Sequence, residues 1–285
     1  MGRRAAAVGT ALLLAVVPVA CGDDGEPERP EAVAPIADAE TPTRSAIRAV
    51  AGLPTLVIQP RGGGPFPLVV FVHGAGAPPE FYADLLTDVA AEGHVVVAPA
   101  MPGSVDDAGL SGLSALPFQP GRVEQVIDAV SEGREAIPAA DPERVVVAGH
   151  SLGAMTALAT AFNTCCVDRR VDAVVSIAGQ RATFPGGVWN TGLVPVLLVH
   201  GRLDDTIAYT GSGEALQALG TSAYLLAVEQ GDHGGYLNGN NTAYPAVRNA
   251  VLAFLLSTVG GQPQAGLADL STAGRSAGVS LTTRG

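Results

Sequence analysis

A serine between two glycines is the first candidate for chemistry in this sequence. Residues 149–153 have the sequence Gly-His-Ser-Leu-Gly, which fits the pattern Gly-x-Ser-x-Gly. A short strand pattern at 144–148 precedes the motif, and a helical pattern with a small-residue face follows it at 154–161. A sharp strand-to-helix turn here would expose the hydroxyl of Ser151, and the glycines would relieve the crowding at such a turn. The context therefore predicts that Ser151 is a nucleophile.

A serine hydroxyl is a weak nucleophile at neutral pH, so it needs a histidine base that is oriented by a carboxylate. Four of the five histidines lie within the serine pattern or at the ends of strand patterns, where they suit structural roles: His73, His94, His150 and His200. The fifth, His233, lies in a glycine-rich loop after a strand pattern at 223–229. An exposed loop of this kind is typical of a catalytic base, so we predict that role for His233. The alternative is a surface histidine in a flexible turn.

The carboxylate should follow a strand that ends at the same edge of the sheet. Two candidates, Asp204 and Asp205, follow the strand pattern at 194–200, four and five residues after His200. We favour Asp204, because its place in the turn should direct its side chain inward, and Asp205 remains the rival. The chain order is then Ser151, Asp204, His233, which is the order that the α/β-hydrolase fold imposes.

Acyl transfer also needs backbone donors for the oxyanion of the tetrahedral intermediate. The N–H of Leu152 is one candidate, because it directly follows the nucleophile. The N–H of Ala75 is the second, in a glycine-containing turn after the apolar run at 68–72. The turn at 73–76 has an alternative interpretation as a tight strand-to-helix connection without a catalytic role.

Together these motifs resemble those of serine hydrolases of the α/β-hydrolase superfamily, and within it those of dienelactone-hydrolase-like and chlorophyllase-like esterases. The matching segments are 70–74, 93–99, 149–153, 200–204 and 231–233. The resemblance implies a mostly parallel sheet of about eight strands flanked by helices. It also implies a triad that uses neither metal nor cofactor, and ester hydrolysis through an acyl-enzyme. Dienelactone hydrolases carry a cysteine nucleophile, so Ser151 argues against dienelactone as the substrate.

The order of elements along the chain agrees with a doubly wound α/β sheet, since apolar strand patterns alternate with helical ones. The predicted strands are 54–59, 68–73, 95–98, 145–148, 173–177, 196–199 and 224–228. The predicted helices are 80–91, 123–136, 152–162, 212–219 and 244–257. The segment at 179–192 is too short for a helical lid domain, which predicts an accessible site and a preference for short-chain esters.

Composition limits the classes of partner. The 285 residues are 47% hydrophobic and include 36 glycines, which suits one large domain with appendages. The net charge is −11 and there is no lysine, so nucleic acid is not expected as a partner. We expect a monomer that acts on a small-molecule or polymer-borne ester.

The chain divides into four segments by composition. Residues 1–20 resemble a signal peptide, and Cys21 follows as in a lipobox, which predicts export as a membrane lipoprotein; ordinary secretion is the rival. In the lipoprotein case a lipid on Cys21 would be the contact with the membrane. Residues 21–45 are acidic and proline-rich, which is typical of a flexible tether. We place the catalytic domain at 46–260 and expect a poorly ordered tail at 261–285.

Three aromatic side chains, Phe118, Phe184 and Trp189, are candidates for a substrate pocket, and packing at loop bases is an equal alternative. The adjacent pair Cys165 and Cys166 is consistent with a disulfide, with two thiols or with buried inert groups. Too few further ligands lie near these cysteines for a metal site.

Two other functions fit the same residues. The triad also serves peptidases, amidases and acyltransferases, because substrate choice depends on the shape of the pocket. A non-catalytic surface lipoprotein that binds a ligand is a different class. The complete set of nucleophile, base, acid and oxyanion donors argues against that second possibility.

Overall fold

The structure is a computed structural model that describes residue 2 and residues 41–104, 110–133, 137–191, 194–219 and 222–284. Nine strands lie in this part of the chain: β1 (Thr43–Val50), β2 (Leu53–Pro60), β3 (Phe66–Val72), β4 (Val95–Pro99), β5 (Ala140–His150), β6 (Val171–Ile177), β7 (Val196–Gly201), β8 (Ala223–Val228) and β9 (Val279–Arg284). The α-helices there are α1 (Ala83–Ala91), α2 (Leu110–Ala115), α3 (Gln119–Ser131), α4 (Leu152–Phe162), α5 (Thr210–Leu219), α6 (Tyr244–Thr258) and α7 (Pro263–Ala273). Short 3-10 helices cover Pro79–Tyr82, Leu116–Phe118 and Gly235–Leu237.

All of these strands join one sheet in the order β1-β2-β4-β3-β5-β6-β7-β8-β9. Neighbouring strands from β4 to β8 in this order are parallel. The pairs β1–β2, β2–β4 and β8–β9 are antiparallel. Helices flank the sheet. This arrangement confirms the predicted α/β-hydrolase fold with a mostly parallel sheet.

The core lies on both faces of the sheet because successive side chains of a strand point to opposite faces. In β3, Val69 and Phe71 pack on the face that is covered by α1, α6 and α7. The alternate residues Leu68 and Val70 pack on the face that is covered by α3, α4 and α5. Burial on both faces explains why the central strands are continuous apolar runs in the sequence.

The two ends of the catalytic domain differ from the predicted boundaries. The strand β1 begins at Thr43, within the segment 21–45 that was predicted to be a tether, and pairs with β2 along its whole length. The predicted signal peptide at 1–20, the lipidation residue Cys21 and the rest of the tether up to residue 40 lie outside the described residues.

The prediction of a poorly ordered tail at 261–285 is wrong for residues 263–284, which form α7 and β9. The close approach of α7 to α6 depends on Gly266, since a Cβ there would overlap the backbone of α6. Leu270 of α7 is buried in the core, and β9 pairs antiparallel with β8. The small residues that suggested a loose tail therefore allow close packing instead.

The described part of the connection between β6 and β7 contains no helical lid. Among its described residues, 178–191 and 194–195, no helix occurs. No helix in the described part of the chain is long and apolar enough to cross a membrane.

Candidate active site

The backbone at Ser151 forms the sharp turn that the sequence predicts. Strand β5 ends at His150 and helix α4 begins at Leu152, so Ser151 is the only residue between them. Its φ of 55° and ψ of −117° lie in a region that residues with a side chain rarely adopt. The Ser151 N–H donates to the carbonyl of Ile177 on β6 at 2.9 Å, which holds the turn against the sheet.

The two glycines of the pattern are required by close backbone contacts. A Cβ on Gly153 would overlap the carbonyl of Val72 at the end of β3. A Cβ on Gly149 would overlap the carbonyl of Gly153 and lie 2.8 Å from the oxygen of Val72. The start of α4 therefore lies directly over the ends of β3 and β5, which raises Ser151 to the carboxyl edge of the sheet.

The structure brings the predicted nucleophile, base and acid into one hydrogen-bonded line. The Nε2 atom of His233 lies 2.8 Å from the Oγ of Ser151. The Nδ1 atom of His233 lies 2.8 Å from the Oδ2 of Asp204. Since an ionised carboxylate only accepts, Nδ1 carries the proton and Nε2 is left to accept the proton of the serine hydroxyl. The arrangement can therefore deprotonate Ser151 as it attacks an electrophile.

The side chain of Asp204 is completely buried. Its Oδ1 accepts hydrogen bonds from the N–H groups of Thr206 at 2.9 Å and Ile207 at 2.8 Å. Burial alone would raise the pKa of Asp204, but the hydrogen bonds from His233 and these amides outweigh burial and lower the pKa. The rival Asp205 is exposed and contacts Thr206 instead, and it does not contact His233.

A second histidine, His200, also contacts Asp204. Its Nε2 lies 3.0 Å from the Oδ2 of Asp204 and 2.9 Å from the carbonyl oxygen of Ile207, so Nε2 carries a proton. Its Nδ1 lies 2.7 Å from the hydroxyl of Ser212. Burial lowers the pKa of His200, which favours the neutral ring. Sequence reasoning gave His200 a loop-positioning role and missed this contact, although its spacing of four residues from Asp204 was visible.

The loop that carries His233 is shaped by its neighbours. The Oδ1 of Asp232 accepts hydrogen bonds from the N–H groups of Gly234 at 3.1 Å and Gly235 at 2.6 Å, which closes a tight turn. A Cβ on Gly201, at the end of β7, would overlap the carbonyl of Asp232. This close contact brings the loop over the end of β7, where Asp204 follows.

Two backbone N–H groups remain available near Ser151. Leu152 is the first residue of α4, and the first N–H groups of a helix have no partner within the helix. Ala75 follows β3 and packs on the apolar cluster that contains Leu152. In the part of the chain that the structure describes, neither amide has a hydrogen-bond partner. These are the two donors that the sequence predicts for an oxyanion.

Hydrogen bonds fix the residue before Ala75 on both sides. The N–H of Gly74 donates to the Oη of Tyr82 at 3.0 Å, so this amide is already paired. The carbonyl of Gly74 accepts from the Nδ1–H of His73 at 2.8 Å. The Nε2 of His73 in turn accepts from the N–H of Met101 at 2.9 Å. These hydrogen bonds of the Gly74 N–H and carbonyl therefore fix the direction in which the Ala75 N–H points.

Two of the three predicted pocket residues line one groove of about 690 Å³. Phe118 is 74% exposed, whereas Phe184 is 2% exposed and also packs in the apolar cluster with Leu152. The groove is lined by Pro117, Phe118, Pro120, Gly121, Glu124, Cys165, Cys166, Val167, Phe184 and Pro185. Trp189 is not among these residues. Its indole N–H donates to the carbonyl of Ala182 at 2.9 Å, so Trp189 packs at a loop base instead.

The adjacent cysteines Cys165 and Cys166 are joined by a disulfide. They follow α4, the helix that begins beside Ser151, and Cys166 packs against the same apolar cluster as Phe184. No group of three or more His, Cys, Asp and Glu side chains in the described residues could hold a metal ion. That no metal or cofactor takes part stays a prediction.

The sheet order and the elbow at the end of β5 define an α/β hydrolase. A family model described as Chlorophyllase matches residues 36–182, which is more than half of the chain. The chain therefore belongs to the chlorophyllase family of the α/β-hydrolase superfamily. A second family model, TAP-like protein, matches residues 154–266.

Relatives of this chain include plant chlorophyllases and a bacterial esterase. Chlorophyllase-1, chloroplastic, of Citrus sinensis is 25% identical over 193 residues, which are 65% of this chain and 53% of that protein. Esterase EstD of Thermotoga maritima is 32% identical over 114 residues, or 37% of this chain and 26% of that protein. Chlorophyllase-1 of Arabidopsis thaliana is 32% identical over 121 residues, or 38% of this chain and 33% of that protein. The match thus spans about half of the length of the Citrus protein, and less of the other two.

Proposed function

We propose that this protein is a serine carboxylesterase in which Ser151 is the nucleophile, His233 the general base and Asp204 the orienting acid. The observation that carries the proposal is the hydrogen-bonded line of these three side chains at the end of the elbow, with both contacts at 2.8 Å. The names of the esterase and chlorophyllase relatives support an ester as the substrate.

The reaction proceeds through an acyl-enzyme. His233 Nε2 takes the hydroxyl proton while Ser151 Oγ bonds to the carbonyl carbon of the ester, and the carbonyl oxygen becomes an oxyanion. The N–H groups of Leu152 and Ala75 stabilise that oxyanion. Asp204 stabilises the imidazolium form of His233, which then protonates the leaving alcohol as the carbon–oxygen bond breaks.

The second half of the reaction repeats these steps with water as the nucleophile. His233 takes a proton from the water, the resulting hydroxide attacks the acyl carbon, and the oxyanion is held by the same two N–H groups. His233 then returns a proton to Ser151 Oγ as the acyl bond breaks. The products are a carboxylic acid and the free enzyme.

We assign the apolar part of the ester to the groove beside Phe118 and Phe184, because Phe184 packs in the same apolar cluster as Leu152, the residue after Ser151. An aromatic side chain as exposed as Phe118 is suited to contact an apolar ligand. We expect the highest activity on short acyl chains, because the described part of the β6–β7 connection contains no helical lid. A panel of acetate, butyrate, octanoate and palmitate esters tests this, and a preference for palmitate emulsions would contradict it.

The first test of the function is hydrolysis of nitrophenyl butyrate by the purified protein, together with labelling by a fluorophosphonate probe. Ser151→Ala should abolish both turnover and labelling. A matched control is Ser257→Ala, whose hydroxyl only bonds the carbonyl of Phe254 within α6. A folded wild-type protein that neither turns over nor labels would refute the proposal and favour the binding-module hypothesis.

We also propose that the protein is exported through residues 1–20 and anchored by a lipid on Cys21. The support is the apolar stretch after two arginines and the small residue before the cysteine. Incorporation of labelled palmitate into the wild type but not into Cys21→Ala would agree with this proposal. A secreted, unlabelled wild-type protein would favour ordinary secretion.

A further inference from the structure

A chain of buried polar groups connects the turn after β3 with the loop that carries His233. The N–H of Gly74 lies 3.0 Å from the Oη of Tyr82, and that oxygen lies 2.9 Å from the Nδ1 of His150. The Nε2 of His150 lies 2.7 Å from the backbone carbonyl oxygen of His233. We refer to these four residues as the relay.

The partners of the relay determine the direction of each hydrogen bond. A carbonyl oxygen only accepts, so the Nε2 of His150 carries a proton and donates a hydrogen bond to the backbone carbonyl of His233. Burial lowers the pKa of His150 to about 4, so the ring is neutral and its Nδ1 accepts. The hydroxyl of Tyr82 therefore donates to Nδ1 while its oxygen accepts from Gly74. Every bond points the same way, which lets successive bonds polarise each other.

The ring of His150 fills the space between the two loops. Tyr82 is 0% exposed and His150 is 6% exposed, so water does not replace their hydrogen bonds. A Cβ on Gly74 would lie 3.0 Å from the Nδ1 of His150, and a Cβ on Gly234 would lie 2.9 Å from its Nε2. The centroids of the His150 and His233 rings are 4.9 Å apart. A shift of either loop must therefore move the His150 ring or break one of its bonds.

We propose that Tyr82 and His150 are positioning residues that keep the oxyanion donor of Ala75 and the base His233 aligned about Ser151. The inference rests on the proposed function, because it assigns a role to the alignment of those two groups. The donor must face the oxyanion at the same moment that the base faces the serine hydroxyl, and a displacement near 1 Å costs about 10²-fold in rate. Neither Tyr82 nor His150 needs to touch the substrate for this role.

The first test is Tyr82→Phe, which keeps the aromatic ring and removes the hydroxyl. The Gly74 N–H and the His150 Nδ1 then lack a partner, and we expect kcat to fall about 10- to 100-fold. KM should change by less than about twofold, because the substrate groove is intact. The matched control is Tyr244→Phe, which removes another buried tyrosine hydroxyl, bonded at 2.6 Å to Asp88 away from the site. This control should leave kcat unchanged.

The second test compares two replacements of His150, one that keeps its hydrogen-bonding groups and one that removes them. His150→Gln keeps one donor and one acceptor, and we expect it to retain most of the wild-type kcat. His150→Leu keeps neither, and its kcat should fall at least as far as that of Tyr82→Phe. Because both residues act through one chain, the double variant Tyr82→Phe/His150→Leu should lose no more activity than His150→Leu alone. Losses that multiply in the double variant would overturn the coupling.

The outcomes distinguish this inference from the proposed function. An inactive, unlabelled wild type would refute the esterase proposal and the catalytic role of the relay with it. An active wild type in which Tyr82→Phe matches Tyr244→Phe in kcat would overturn the relay alone. A fall in kcat for Tyr82→Phe, with recovery in His150→Gln relative to His150→Leu, would support it.

Discussion

Replacement of the buried acid by its amide, Asp204→Asn, tests the assignment of the base and the acid together. The N–H groups of Thr206 and Ile207 only donate, so the amide oxygen must take the place of Oδ1. The amide NH₂ then takes the place of Oδ2 and faces both the Nδ1 of His233 and the Nε2–H of His200, which keeps the carbonyl of Ile207 as its acceptor. Two donors cannot pair, so the proton of His233 moves to Nε2, where it blocks transfer from Ser151.

The expected loss in kcat follows from this change of tautomer. The same change in a Ser-His-Asp enzyme lowers kcat by about 10⁴, which corresponds to about 5.5 kcal/mol in activation free energy. The shape of the side chain is kept, so the free energy of unfolding should change by only about 1–3 kcal/mol. The variant should therefore be folded and nearly inactive.

Steady-state hydrolysis of nitrophenyl butyrate measures the loss, and urea unfolding measures the stability. The control is Asp205→Asn, an exposed neighbour that does not contact His233, and it should keep kcat within about twofold of the wild type. The reasoning would be refuted if Asp204→Asn kept more than about a tenth of the wild-type kcat. It would equally be refuted if Asp205→Asn caused the larger loss.

Three further changes test the fold. Gly153→Ala places a methyl group onto a backbone carbonyl and should destabilise the protein by about 3 kcal/mol or more, whereas Gly213→Ala in α5 meets no atom within 4 Å and should be neutral or stabilising in urea unfolding. Burial lowers the pKa of His94 and His150 from 6.5 to about 4, so unfolding takes up protons between pH 4 and pH 6.5. Acidification over this range should therefore lower the free energy of unfolding by about 1.4 kcal/mol per pH unit for each histidine. If His94→Phe left the pH dependence of the free energy of unfolding unchanged, this reasoning would be contradicted. Deletion of 262–285 removes α7 and β9 and should lower Tm by about 10 °C or more, whereas an unchanged Tm would restore the expectation of a loose tail.

The interior of the fold could be predicted from the sequence because burial on both faces produces unmistakable apolar runs. The helix α4 begins and ends at the predicted residues 152 and 162. The edge strands β1 and β9 could not be predicted in this way, since most of their side chains are exposed or half-buried and show no regular alternation. Their pairing with β2 and β8 is a property of the assembled sheet.

The candidate site was predictable where a motif places a residue at the end of a strand. The approach of Ser151, Asp204 and His233 follows from the ends of β5, β7 and β8, which meet at one edge of the sheet. The partners of these residues were not predictable. His150 and Tyr82 are separated by 68 positions, and their hydrogen bond depends on how α1 and its preceding turn pack against β3 and β5.

At position 151, the backbone conformation and the proposed reaction favour different residues. Its φ of 55° is a conformation that glycine adopts freely, so Ser151→Gly would stabilise the folded state by about 1 kcal/mol while it removes the hydroxyl. In a lineage where hydrolysis no longer benefits the cell, selection against that exchange would end, and its gain in stability would favour it while the sheet is retained. A homologue with glycine at this position would thus keep the fold without the serine hydroxyl that the proposed reaction needs.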